Sequence, residues 1–181
     1  RPQDAGNYYA WGETTSKTDF RWATYSYGTA YNSLTKYSLE DGLWTLDATD
    51  DVVSCTWGGT WRMPTMNEWS ELQEHCVWTW TDDYDQTGVA GYVVASKSSD
   101  ASLFLPAAGC RYANQINEKG VHGYYWSSSL FTNHSSYRGS AYQLQFFQAF
   151  VKSNWNYTRY YGSSVRGVCP STTTKSAGIT Q

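Results

Sequence analysis

Side chains able to do chemistry are few in this chain, and they stand far apart. The four cysteines, Cys55, Cys76, Cys110 and Cys169, form no Cys-x-x-Cys pair, and His75, His122 and His134 have no motif partners. A zinc site wants close paired ligands, so no metal and no cofactor is expected. The thiols read as buried side chains, or as one or two disulfides if the protein is exported. Four cysteines allow three pairings, and spacing does not choose among them. There is no Gly-x-Ser-x-Gly elbow, no His-Glu-x-x-His helix and no phosphate loop. A glycosidase needs two facing carboxylates, yet Glu118 is the last acidic residue. Asp82, Asp83 and Asp85 carry the oxygens that calcium takes, but they read more simply as a solvated acidic turn. The chain is therefore expected not to be an enzyme.

What it does carry is binding chemistry. Lys152–Gly162 reads KSNWNYTRYYG: four aromatic rings among amides, hydroxyls and two cations. Tyr and Trp offer large contact areas at small entropic cost, and Asn and Ser adapt their hydrogen bonds. The whole chain shares this bias, with 10 Trp, 16 Tyr and 6 Phe in 181 residues. That is too aromatic for a disordered chain and long enough for one domain with a real core. The formal net charge of -3 hides an asymmetry: every carboxylate side chain falls within residues 1–118, and none follows. The basic residues beyond Glu118 are scattered, so no nucleic-acid footprint is expected. No apolar run approaches the roughly 20 residues of a membrane helix, so no membrane insertion is expected. The first residue is Arg1, and the chain is expected to be a processed or trimmed piece of a longer one.

The elements that must position these residues are short. GNYYAWGET (6–14) reads as a strand entering a glycine turn. LDATDDVVSC (46–55) reads as a short helix with Asp47 at or near its N-cap. In PTMNEWSELQEHC (64–76), Thr65 and Glu68 stand at capping-box spacing, and Trp69, Leu72 and Cys76 follow on one helical face. A polar loop at 81–88 precedes the strand candidates 91–97, 102–111 and 123–130. In SAYQLQFF (140–147), Tyr142, Leu144 and Phe146 alternate with Gln143, Gln145 and Phe147. SSVRGV (163–168) reads as a last strand, and PSTTTKSAGITQ (170–181) as a Ser/Thr-rich tail. The pattern implies an α+β domain with an antiparallel sheet.

Residues 6–14, WGGTWRMPTMNEW (57–69), LFLPAAGCR (103–111), GYYWSSS (123–129) and RYYGSSVRGVC (159–169) follow one another in an order that resembles a known family. It is the Fibrobacter succinogenes major paralogous domain, common in gut Bacteroidetes. That family shares the C-type lectin fold with the formylglycine-generating enzymes. The resemblance spans most of 6–169. It implies a single C-type-lectin-fold domain over 1–169: two helices, a small twisted antiparallel sheet and long loops. Trp11, Trp57, Trp61, Trp69 and Trp126 sit in these motifs and are expected in the core. The formylglycine-generating relatives bind copper with a pair of late cysteines. Only Cys169 lies in that region here, so their activity is not carried over. The Glu-Pro-Asn and Gln-Pro-Asp motifs of calcium-dependent lectins are also missing.

The closing pattern also resembles variable proteins of diversity-generating retroelements, in which a late stretch is rewritten on a fixed scaffold. GYYWSSS and SSVRGVC would bracket that stretch here, with a Ser/Thr tail after it. Ala141, Leu144, Phe146, Val151 and Trp155 would be scaffold. Ser136, Tyr137, Arg138, Gln143, Gln145, Phe147, Lys152, Asn154, Asn156, Tyr157 and Arg159 would be the displayed, ligand-binding set. The resemblance implies a receptor-recognition or adhesion domain of a gut bacterium or its phage. It would be extracellular, on a cell surface or virion, with a protein or glycan ligand. The alternative is an invariant surface or secreted adhesin or structural domain with no diversified site. By analogy with the terminal disulfide of C-type lectin folds, the resemblance also implies a Cys76–Cys169 bridge.

Overall fold

The computed structural model describes residues 1–133 and 139–170. Two α-helices, α1 (Val52–Trp57) and α2 (Met66–His75), precede the strands. These are β1 (Cys76–Thr81), β2 (Gly91–Ser96), β3 (Ser102–Pro106), β4 (Cys110–Tyr112), β5 (Gln115–Asn117), β6 (Gly123–Leu130), β7 (Ser140–Phe147) and β8 (Phe150–Thr158). They pair antiparallel as β1-β2-β3, β4-β5 and β6-β7-β8. The architecture is α+β, with two helices and small antiparallel sheets. No described helix is long and apolar enough to cross a membrane.

Local chemistry accounts for α2. The Glu68 amide donates to the Thr65 hydroxyl and the Thr65 amide to the Glu68 carboxylate, closing the capping box. Arg62 adds two hydrogen bonds of 2.7 and 2.6 Å to the same carboxylate and, with desolvation opposing, pulls its pKa down to about 2. Trp69 buries its ring from this helix and donates its indole N–H to the Trp126 carbonyl. Gln73 reaches the edge of β8, donating to the Val151 carbonyl and accepting from the Ser153 amide.

Several elements differ from the sequence expectation. Helix α1 starts at Asp51, not Asp47. The Asp51 carboxylate accepts from the amides of Val53, Ser54 and, across the loop, Met63. Asp47 instead joins Asp50 on the Lys36 ammonium, at 2.6 and 2.7 Å. Strand β1 follows α2 without a connecting loop: alternation in CVWTWT turns Trp78 and Trp80 edge-on to Tyr92 and leaves Val77 exposed. Residues 6–14 and 163–168 are not strands. They make single bridges, Tyr9 to Ser163, Tyr125 to Ser164 and Arg62 to Val168, each to a different part of the chain.

Trp11, Trp69 and Trp126 are buried as expected. Trp11 donates its indole N–H to Ser127, and Trp126 donates to Tyr9, both at 2.8 Å, tying the early segment to β6. Trp57 and Trp61 are not core: they are 57% and 40% exposed. Trp57 is the last residue of α1, and the two rings pack edge-on against each other at 5.1 Å. The Cys76–Cys169 bridge is absent, and both thiols are free. Val168 bridges Arg62, before the start of α2, whereas Cys76 lies at the helix's far end. Ten helical residues separate the two ends by roughly 15 Å, and Cys169 meets the Thr60 hydroxyl instead, at 3.2 Å.

Asp51→Ala removes a cap and strands the Met63 amide, so chemical denaturation should show a loss of about 2–4 kcal/mol. A loss under about 0.5 kcal/mol would contradict this role. The lowered Glu68 pKa gives a pH signature of known sign. Its contribution is complete above the unfolded value of 4.5 and fades as pH falls toward about 2. Thermal melts of Glu68→Gln should therefore lose less stability than the native chain across that window.

Candidate functional site

The displayed face is decided by one irregularity. Gln145 pairs with Lys152, Phe146 with Val151 and Phe147 with Phe150, but Gln143 pairs with Trp155 and Ala141 with Tyr157. Strand β8 therefore carries one extra residue between the two registers, a β-bulge. Val151 packs on the core formed by Tyr92, Leu144 and Phe146. With unbroken alternation Trp155 would lie on that same inward face. The bulge reverses the facing, so Trp155 joins Gln145, Phe147 and Lys152 on the other side and is 38% exposed. It is a displayed residue, not scaffold.

On that side the aromatic rings form a continuous ribbon. Tyr112 stacks on Tyr161 at 5.2 Å, and Tyr161 meets Tyr160 at 4.8 Å and Tyr157 at 4.6 Å. Tyr157 continues to Tyr124 at 5.4 Å, and Tyr124 to His122 at 5.9 Å. His122 meets Phe147 at 5.1 Å, Phe147 stacks on Phe150 at 5.1 Å, and Phe150 meets Trp155 at 6.2 Å. The Lys152 ammonium closes the far end, 4.8 Å from the Trp155 ring centre. Strands β4, β6, β7 and β8 and the turn after β8 all contribute.

The ribbon's hydroxyls are held neutral. Burial, then the hydrogen bond to Glu118, raises the Tyr124 pKa. Burial, then the neighbouring Cys110, raises that of Tyr157. Burial pushes the Cys110 thiol up to about 11. Beside these rings the Gln145 Oε1 and His122 Nδ1 atoms are shielded and make no hydrogen bond. His122 Nδ1 lies 3.9 Å from a Glu118 carboxylate oxygen.

Of the expected site residues, Gln145, Phe147, Lys152 and Tyr157 lie on the ribbon. Asn154 is exposed at the bulge, and Asn156, opposite Tyr142, faces the other way and is half-buried. Ser136, Tyr137 and Arg138 lie outside the described residues. Two expectations are corrected. Gln143 is fully buried beneath the face, where its Oε1 accepts from the Ser163 hydroxyl at 3.4 Å. Arg159 is also fully buried: β8 has ended at Thr158, so strand alternation no longer sets its direction. Its guanidinium donates to the Tyr37 carbonyl at 3.0 Å and lies over the rings of Trp11 and Tyr25. Tyr112, His122, Tyr124, Phe150, Tyr160 and Tyr161 were missed. The density of aromatics after residue 110 is the signal that marks most of them.

No group of three or more His, Cys, Asp or Glu side chains able to hold a metal occurs among the described residues. No family model, curated protein or solved structure matches this chain.

The exchange of roles between Trp155 and Arg159 is measurable. Arg159→Ala should cost about 3–5 kcal/mol, from the cavity and the stranded Tyr37 carbonyl. Trp155→Ala should cost about 1 kcal/mol or less. Equilibrium unfolding of the two variants checks the order, and the reverse order would refute the assignment.

Proposed function

We propose that this chain is a non-catalytic ligand-binding domain of the C-type lectin fold, acting in receptor recognition or adhesion through the aromatic ribbon. The observation that carries the reading is the ribbon's continuity, from Tyr112 to the Trp155–Lys152 pair. Tyr112 and Trp155 at its two ends are exposed, Tyr124 is buried and the other rings are half-buried; exposed aromatic surface of this kind marks an interaction site. The ordered motifs at 57–69, 103–111, 123–129 and 159–169 supply the fold assignment, and the described helices and small antiparallel sheets accord with it.

In this proposal the domain works outside the cell, on a cell surface or virion, against a protein or glycan. The neutral hydroxyls and amides bind by hydrogen bonding and the rings by stacking. The displayed stretch is read as the rewritten segment of a diversity-generating retroelement in a gut bacterium or its phage. A template repeat and a reverse-transcriptase gene beside the coding sequence would support that reading over an invariant adhesin, and their absence would favour the adhesin.

The binding claim has its own test. Labelled chain is screened on glycan arrays and on gut-bacterial cells, beside a Phe150→Ala/Trp155→Ala variant. The native chain should bind at least one surface, and the variant should lose at least tenfold in affinity, about 1.4 kcal/mol, while its Tm stays within a few degrees. Full retention of binding by the folded variant would move the site elsewhere.

A further inference from the structure

A second surface lies on the other sheet, along the outer edge of β1. Natural sheets protect such edges with charges, prolines, bulges or a covering element. The two three-stranded sheets end in β1, β3, β6 and β8, and three of these edges are covered. On β3, Phe104 and Leu105 are buried; Gln73 caps β8 at Val151 and Ser153; Gly109 and Ser164 bridge to β6. Strand β1 has no such protection. It reads Cys76-Val77-Trp78-Thr79-Trp80-Thr81, with no charge and no proline, and its pairing with β2 is unbroken. Among the described residues no strand or bridge pairs with its other side.

The pairing with β2 fixes which main-chain groups are used. The Lys97 amide donates to the His75 carbonyl at 3.1 Å, so the next hydrogen-bonded pairs are Val77 with Ala95 and Thr79 with Val93. Trp78 and Trp80 therefore turn both N–H and C=O away from β2. Unpaired main-chain groups persist only where water reaches them, and the strand is open to it. Val77 is 51% exposed, Thr79 is exposed, and Cys76, Trp78 and Trp80 are half-buried. The two indoles stand edge-on to Tyr92. A strand laid beside β1 would complete their cover and satisfy the free groups.

Charge selects the occupant. Residues 71–100 hold six carboxylates, Glu71, Glu74, Asp82, Asp83, Asp85 and Asp100, against one cation, Lys97. The Lys97 ammonium is held by the Glu74 carbonyl at 2.6 Å. Arg1 and Lys119 approach the 84–88 turn from the β3 side, with Asp4 beside both. The β1 edge is thus uncharged in its middle and acidic before and after. A second copy pairing antiparallel about Trp78 would bring Glu74 of each copy opposite Asp82 of the other, where like charges repel. A basic-flanked strand meets the opposite sign at both ends.

We propose that the β1 edge binds an extended segment of a protein partner as a fourth strand, with apolar or β-branched residues at its centre and Lys or Arg on both flanks. The six residues of β1 offer roughly 20 Å of edge, enough for strand pairing over a short motif. None of the β1 residues belongs to the aromatic ribbon, so the two surfaces are independent.

A phage-displayed nonapeptide library panned on the full chain tests this. The expected result is enrichment of peptides with a β-branched or aromatic centre between basic flanks. With a synthetic copy of the best peptide bound, the Trp78 and Trp80 amides should exchange hydrogen at least tenfold more slowly. Those of Val77 and Thr79, already bonded to β2, should slow far less. Glu71→Lys/Glu74→Lys should weaken binding at least tenfold, and glutamates in place of the peptide's facing lysines should restore it. Phe150→Ala/Trp155→Ala should leave binding unchanged. Four outcomes overturn the proposal: no such enrichment, Trp78 and Trp80 amides already protected in the free monomer, affinity indifferent to the charge reversal, or a concentration-dependent dimer that protects these amides without peptide. The last would make a second copy the occupant. If the charge-reversed variant does not fold, the exchange pattern on the native chain decides alone.

Discussion

A buried cation holds the two halves of this chain together. Taking a guanidinium out of water costs several kcal/mol, so Arg159 must be met by groups placed for it. It is met by the Tyr37 carbonyl and by the faces of Trp11 and Tyr25. Its own main chain is occupied too: the Trp11 amide donates to its carbonyl, and its amide donates to Gly139. Tyr37 in turn donates its hydroxyl to Asp50 and accepts from the Asp47 amide. One side chain after the last strand thus organises a long stretch of early chain that has almost no regular secondary structure. Burial pulls the Arg159 pKa down from its usual value, with Tyr25 and Asp41 opposing.

The parts of the fold legible in the sequence are those whose causes are local. Thr65 and Glu68 announce α2 because both halves of the capping box lie within one turn. Tyr142, Leu144 and Phe146 announce the inner face of β7 because alternation needs no partner. Other features depend on distant partners. Asp47, Asp50 and Asp51 are equivalent as candidate caps until Lys36 claims two of them. The CVWTWT alternation of β1 was hidden because it abuts the helix with no turn residues between. The facing of Trp155 cannot be read from β8 alone, since the bulge exists only in its pairing with β7. Arg159 looked like a display residue because arginine is common on binding surfaces, and its burial depends on Tyr37, more than a hundred residues earlier.

The ribbon's members are not equally open to substitution. Trp155 is 38% exposed, whereas Tyr124 is buried and Tyr157 packs against the core that holds Trp126 and Ala141.

The single extra residue in β8 has a further meaning for how such a face can change. Facing along a strand is a matter of counting, and the bulge shifts the count by one for everything after it until the strand ends at Thr158. Gaining one residue beyond it, with the bulge kept, would exchange the facings of Trp155 and Asn156, turning the indole inward and the amide outward. Altering identities at the same positions leaves the count intact. The architecture is thus permissive to new letters and intolerant of new lengths, so any process that remodels this surface must conserve chain length between Ser140 and Thr158.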